Sequence, residues 1–269
     1  MDTTCPWVAK VWNTVHTHQV RGLTSVIHGK YAHEETIATK SMAETYICVK
    51  NEEEANIVAD FILNAEEGDG KAEKFLARFS KAASSHFDPH KHLQKIGLAN
   101  QTTMYKKETR AIGQIFQNTI MKKFGPDCLN DHYYEFDTIC DATQVRQDAI
   151  DELCKMDKDP NQPDLDFILV VGGFDSSNTA HLLEIPQLNG VRSFHINEAK
   201  CITSENTIRH RTIDGEIVES EQLLLSSGKG KKLRVGVTSG ASTPDKEVQD
   251  SLTRIMMLNN LYSTQELTV

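Results

Sequence analysis

Cys140 sits where the short stretch Thr138-Ile139 gives way to the helix-forming run Asp141-Ala142-Thr143-Gln144-Val145-Arg146-Gln147-Asp148-Ala149. Cys5 has a similar setting in Asp2-Thr3-Thr4-Cys5-Pro6-Trp7-Val8. A helix N-terminus presents unpaired N–H groups and partial positive charge, which favour a thiolate. Thiolate is the form that ligates iron. A free cysteine is also commonly an inert buried thiol, and the residue types alone leave both uses open.

Three turns carry a second chemistry. Thr102 lies in Asn100-Gln101-Thr102-Thr103. Ser176, Ser177 and Asn178 follow Gly172-Gly173, and Ser242 follows Gly240. Each turn leaves an expected strand and enters an expected helix, at the sheet edge where α/β proteins bind ligands. Hydroxyls, a carboxamide and helix N–H groups can surround a diphosphate without a lysine. Helix capping explains any one of these turns; three in one chain favour a ligand. No glycine-rich turn ends in Gly-Lys-Ser/Thr, so this is not a P-loop. His33 and Glu35 open another helix and suit a donor and a proton source, although acids in a first turn also complement the helix dipole. Cys48, Cys128, Cys154 and Cys201 read as structural, and no Cys-x-x-Cys pair suggests zinc. His16, His18, His90 and His92 read as surface residues.

Positioning these groups requires alternating strands and helices. Helices are expected after Cys5, from His33, from Asn51, from Glu73 to about Ser84, over 107–124 and from Cys140 to about Met156. Strands are expected over 23–27, 46–49, 95–99, 167–171, 194–196 and 234–237. Asp157 to Asp164 reads as a loop. The alternation predicts an α/β fold with small parallel sheets. The expected domains are 1–135 and 136–269, meeting near Asn130 to Asp137.

A formal net charge of -9 argues against electrostatic capture of nucleic acid. Six cysteines in 269 residues fit a reducing compartment better than a secreted disulfide scaffold. No apolar run approaches a membrane span, and the N-terminus shows no targeting pattern.

The segments DTTCPWVAKVW, HGKYAHEETIAT, LANQTTM, TICDATQVRQDA, VVGGFDSSNTAHL and GVTSGASTPDKEVQD closely resemble the 4-hydroxy-3-methylbut-2-enyl diphosphate reductase family, in its plant and cyanobacterial form. The resemblance implies three pseudo-equivalent α/β domains around a central [4Fe–4S] cluster held by three cysteines. It implies reductive removal of the substrate hydroxyl as water, giving isopentenyl and dimethylallyl diphosphates, with an electron donor such as ferredoxin or flavodoxin. By motif, Cys5 and Cys140 become cluster ligands. His33, Ser176, Asn178 and Ser242 become diphosphate contacts, with Ser177 beside them. Glu35 becomes the proton donor and Thr102 its hydrogen-bonding partner. The family's first domain and third cysteine have no match here, so a fragment holding the last two domains is expected, inactive alone. Alternatives are a non-catalytic phosphate-binding module and an inert truncation product. The resemblance implies a plastid stroma in a photosynthetic eukaryote and the cytoplasm in a bacterium.

Overall fold

The computed structural model describes residues 4–136, 138–158, 160–161, 164–225 and 232–265. Asp2 and Thr3 of the first cysteine segment, Asp137 at the expected domain junction, and residues 159, 162 and 163 of the expected loop lie outside the described residues. The chain divides into two compact units, Met1–Cys140 and Asp141–Val269.

The first unit carries helices α1 (Pro6–Val20), α2 (Glu34–Ser41), α3 (Glu52–Asn64), α4 (Lys71–Arg78), α5 (Pro89–His92), α6 (Lys106–Phe124) and α7 (Leu129–His132). Its strands β1 (Thr24–His28), β2 (Tyr46–Val49), β3 (Ile96–Asn100) and β4 (Tyr133–Glu135) form a wholly parallel sheet in the order β2-β1-β3-β4. Every residue of β1 and β3 is buried, as expected where helices cover both faces of a parallel sheet. Val26, Ile96 and Leu98 share one core with Val58, Phe61 and Ile62 of α3 and Ile112, Phe116 and Ile120 of α6. Val11 and Val15 of α1 pack with Ala99 in a smaller cluster. β4 adds an edge strand within the stretch read as a junction.

Two expectations about this unit are corrected. The helix from Glu73 ends at Arg78 rather than near Ser84. Ala82 and Ser84 instead pair with the outer edge of β2, through Cys48 N–H to Ala82 O (2.7 Å) and Ser84 N–H to Tyr46 O (3.0 Å). That pairing covers strand edge that would otherwise be exposed. His18 is fully buried, not a surface residue. Its Nδ1 pairs with Ser25 Oγ at 2.9 Å, and its ring fills the space above Gly97, where a Cβ would fall 2.3 Å from the imidazole. Burial, aided by Arg21, lowers its pKa to about 4.

The second unit carries α8 (Asp141–Asp157), α9 (Ser177–Leu188) and α10 (Asp245–Gln265), with β5 (Phe167–Val171), β6 (Ser193–Ile196), β7 (Ile208–Arg211), β8 (Ile217–Ser220) and β9 (Val235–Ser239). The order is β8-β7-β6-β5-β9. β5, β6 and β9 are parallel, whereas β7 and β8 form an antiparallel hairpin on the β6 side. The sequence reading missed this hairpin. Its signal was Asp214-Gly215 between two β-branched runs, with Gly215 at φ +94°.

In both units the chain leaves a central strand for one neighbour and later crosses to the other. The switch points fall between β1 and β3 and between β5 and β9. Ligands of open α/β sheets bind outside the carboxyl ends of strands at such points.

Candidate functional site

At the first switch point, the turn after β1 carries His33 and Glu35, and the turn after β3 carries Thr102. His33 is the N-cap of α2, and its Nδ1 accepts the Glu35 N–H at 3.2 Å. A neutral ring accepting at Nδ1 holds its proton on Nε2, so His33 offers a donor on the other side. Burial, with Lys30 assisting and Glu34 opposing, depresses the His33 pKa and favours this neutral form.

Glu34 and Glu35 are adjacent on the helix and point differently. Glu34 is exposed, while Glu35 is half-buried. Glu35 Oε1 accepts the Thr102 N–H at 2.6 Å, and Oε2 accepts the Thr102 hydroxyl at 3.0 Å. Burial raises the Glu35 carboxyl above its ordinary range, and the two Thr102 bonds oppose that rise without cancelling it. A carboxyl so raised holds a transferable proton nearer neutral pH.

At the second switch point, Ser176 is the N-cap of α9. Its Oγ accepts from the Thr179 N–H (3.3 Å) and the Thr179 hydroxyl (3.0 Å). Ser177 opens the helix and is half-buried, and Ser242 lies exposed in the facing turn. That turn is tied to the end of β5 by Gly240 N–H and the Thr243 hydroxyl, both donating to Val171 O, at 3.0 and 3.1 Å. Asn178 is only 6% exposed, yet neither its Oδ1 nor its Nδ2 has a hydrogen-bond partner among the described residues. No other described residue has two buried, unpartnered side-chain atoms. Each unpaired buried polar group costs about 1–3 kcal/mol, so an amide left this way at the switch-point crevice has capacity for a polar partner.

His195 of β6 supports the same turn. It is fully buried and its Nε2 contacts Gly172 O at 2.9 Å. Burial lowers its pKa to about 4, so the neutral ring donates this bond.

Cys5 occupies the N-cap of α1, with no side-chain capping bond. Its thiol is exposed. Cys140 is half-buried immediately before α8, and its N–H donates to Thr102 O at 3.5 Å. Cys48, Cys154 and Cys201 are poor ligands by environment. Burial pushes the Cys48 thiol up to about 12 and also raises Cys154, while Cys201 donates its S–H to Asn197 Oδ1 at 3.1 Å. Among the described residues no three His, Cys, Asp or Glu side chains gather as a metal site. The described residues therefore do not by themselves supply the full ligand set of an iron–sulfur cluster.

Gln101, quoted within its motif but given no role, proves central to the first switch point. The pseudo-equivalence of the units extends to a shared spacing: Gly29 precedes Thr36 as Gly172 precedes Thr179.

The family described as LytB protein matches residues 1–256. Proteins named 4-hydroxy-3-methylbut-2-enyl diphosphate reductase from a Synechococcus and a Nostoc species are each 51% identical over 258 residues, covering 96% of this chain and 61% and 60% of theirs. A chloroplastic protein of that name from Botryococcus braunii is 51% identical over 253 residues, covering 94% of this chain and 49% of its own length. The solved E-1-hydroxy-2-methyl-but-2-enyl-4-diphosphate reductase from Plasmodium falciparum shares the fold, with a TM-score of 0.57 at 21% identity over 94% of this chain and 58% of that one. The chain thus spans about 60% of the length of the cyanobacterial relatives.

Proposed function

This chain belongs to the LytB protein family, and from that premise we propose that it forms the diphosphate-binding and proton-delivering part of a 4-hydroxy-3-methylbut-2-enyl diphosphate reductase. Such an enzyme reduces its substrate to isopentenyl and dimethylallyl diphosphates. The observation that carries this reading is the buried Asn178 amide with both polar atoms unpartnered. A diphosphate oxygen accepting from Nδ2 relieves part of that cost. Ser176, Ser177 and Ser242 of the same unit supply further donors to a diphosphate, and His33 is read as a diphosphate donor of the first unit. Glu35 delivers a proton to the departing hydroxyl, with Thr102 holding the carboxyl.

Cys5 and Cys140 would donate thiolates to a [4Fe–4S] cluster, whose iron supplies electrons and Lewis acidity when bound. Two thiols fall short of a cluster's ligand set, so this reading assigns to the described residues substrate binding and proton delivery, not electron delivery. An electron donor such as ferredoxin or flavodoxin belongs to this reading, as does a plastid or bacterial cytoplasmic setting. Among the described residues no helix is long and apolar enough to cross a membrane.

Calorimetry on this chain with the diphosphate substrate and its parent alcohol tests the reading. Asn178→Ala weakens diphosphate binding by about 1–3 kcal/mol, the cost of an unmade buried hydrogen bond. Unchanged affinity, or equal binding of diphosphate and alcohol, overturns it.

A further inference from the structure

We propose that Gln101 is a positioning residue that holds Glu35 in register with Thr102, an inference resting on the reading of Glu35 as the proton donor. Gln101 directly follows β3 and is 1% exposed. Its Oε1 accepts from the Lys30 N–H (3.2 Å) and from the Thr36 hydroxyl (3.1 Å). Its Nε2 donates to Thr103 Oγ1 at 2.7 Å, and its own N–H donates to His28 O at 2.8 Å. Lys30 and Thr36 bracket the segment carrying His33 and Glu35. One side chain therefore fastens both ends of that segment to the turn that carries Thr102.

Gly29 makes this possible. A Cβ there would lie 3.0 Å from Gln101 Cβ and from Thr36 Oγ1, and 3.2 Å from Gln101 Oε1. The corresponding turn of the second unit has no such bridge among the described residues. Gly240 stands where Gln101 stands, with its N–H on the end of the central strand. A Cβ at Gly240 would fall 2.3 Å from Thr179 Oγ1, so the two turns meet directly. The amide bridge thus belongs to the unit that bears the acid. Chemistry explains why: a proton donor works only when its carboxyl is held close to one geometry. Thr102 grips the carboxyl head, and Gln101 fixes the backbone from which it projects. A buried amide is worth keeping when its bonds are made, and here both the oxygen and the nitrogen bond.

Amide hydrogen exchange and NMR on this chain test the proposal without relying on turnover. The Thr102 N–H, donating to a carboxylate at 2.6 Å, should resonate downfield and exchange slowly. In Gln101→Met it moves upfield and exchanges about tenfold faster, the scale of one weakened hydrogen bond, while the amides of Leu98 and Ile27 keep their protection. Thr36→Val, which removes one donor to Gln101 without changing shape, moves Thr102 in the same direction, and Thr36→Ser restores it. These two variants decide the matter if Gln101→Met fails to fold. The proposal is overturned if Lys30 loses protection while Thr102 keeps both its shift and its protection, because Gln101 then only stitches the turn. If Thr102 responds as expected but Glu35→Gln leaves turnover of the assembled reductase intact, positioning stands and the proton-donor reading fails.

Discussion

The two units place different residues on one backbone frame. The strand-end contacts match: Gly29 N–H to Val49 O and Gly172 N–H to Ile196 O, then Gln101 N–H to His28 O and Gly240 N–H to Val171 O. His33 and Ser176 are the N-caps of α2 and α9, so Glu35 and Asn178 share the second helical position, and Thr36 and Thr179, both fully buried, share the third. Across the crevice, Met104 N–H to Gln101 O matches Thr243 N–H to Gly240 O, which sets Thr102 against Ala241 and Thr103 against Ser242. In the first unit a long acid meets a hydroxyl and an N–H, and the crevice closes on its own carboxylate. In the second the corresponding positions hold a short amide and an alanine, and the polar atoms of the Asn178 amide stay unpaired among the described residues. On the reading proposed above, two substitutions on one frame separate a proton-delivering crevice from a ligand-binding one.

The largest expected effect tests whether the two frames respond alike to acid. Each unit holds a buried imidazole, His18 in one and His195 in the other, whose pKa is lowered to about 4. Both are depressed below the unfolded value of about 6.5. The neutral forms therefore stabilise the fold fully above that pH, and the contribution is lost as pH falls from about 6.5 to about 4. Each group accounts for on the order of 3 kcal/mol. Denaturant unfolding across this range should show the slope, and His18→Gln and His195→Gln should each remove part of it. A slope that neither substitution changes means the imidazoles are not held neutral.

Next comes the acid itself. Glu35→Gln keeps the shape and removes the proton, and turnover of the assembled reductase should fall by roughly 10²-fold or more. Glu34→Gln, on the exposed neighbour, should leave it near normal. A dead Glu34→Gln enzyme would place the proton donor one residue earlier and break the correspondence between Glu35 and Asn178.

The smallest effect concerns how tightly the turns meet. Gly240→Ala puts a methyl 2.3 Å from the buried Thr179 hydroxyl and should destabilise by about 1–3 kcal/mol, the usual cost of overpacking. Gly29→Ala meets its nearest atoms at 3.0 Å and should cost less. Denaturant midpoints in the reverse order would show that the amide bridge leaves less room than the direct contact.

Much of this was readable in the chain because it is local. β5 lies where its continuous apolar run places it, and α6 ends at Phe124, the end expected for the 107–124 helix. The Asn51 side chain caps Glu54 as its spacing implies. Other features lacked a local signal. His18 looks like a polar helix residue until Gly97 supplies the space for its ring, and the extension of α4 yields to β2, whose free edge only the assembled sheet creates.

The sequence by itself therefore determined which residue types stand at strand ends and helix starts, since capping and periodicity act within a few residues. Only the tertiary structure decided that Glu35 meets Thr102, 67 residues away, and that Gln101 reaches Thr36, 65 residues away. Strand order and register decide such pairings. They follow from burying both faces of the sheet at once, and no short window of sequence encodes that condition.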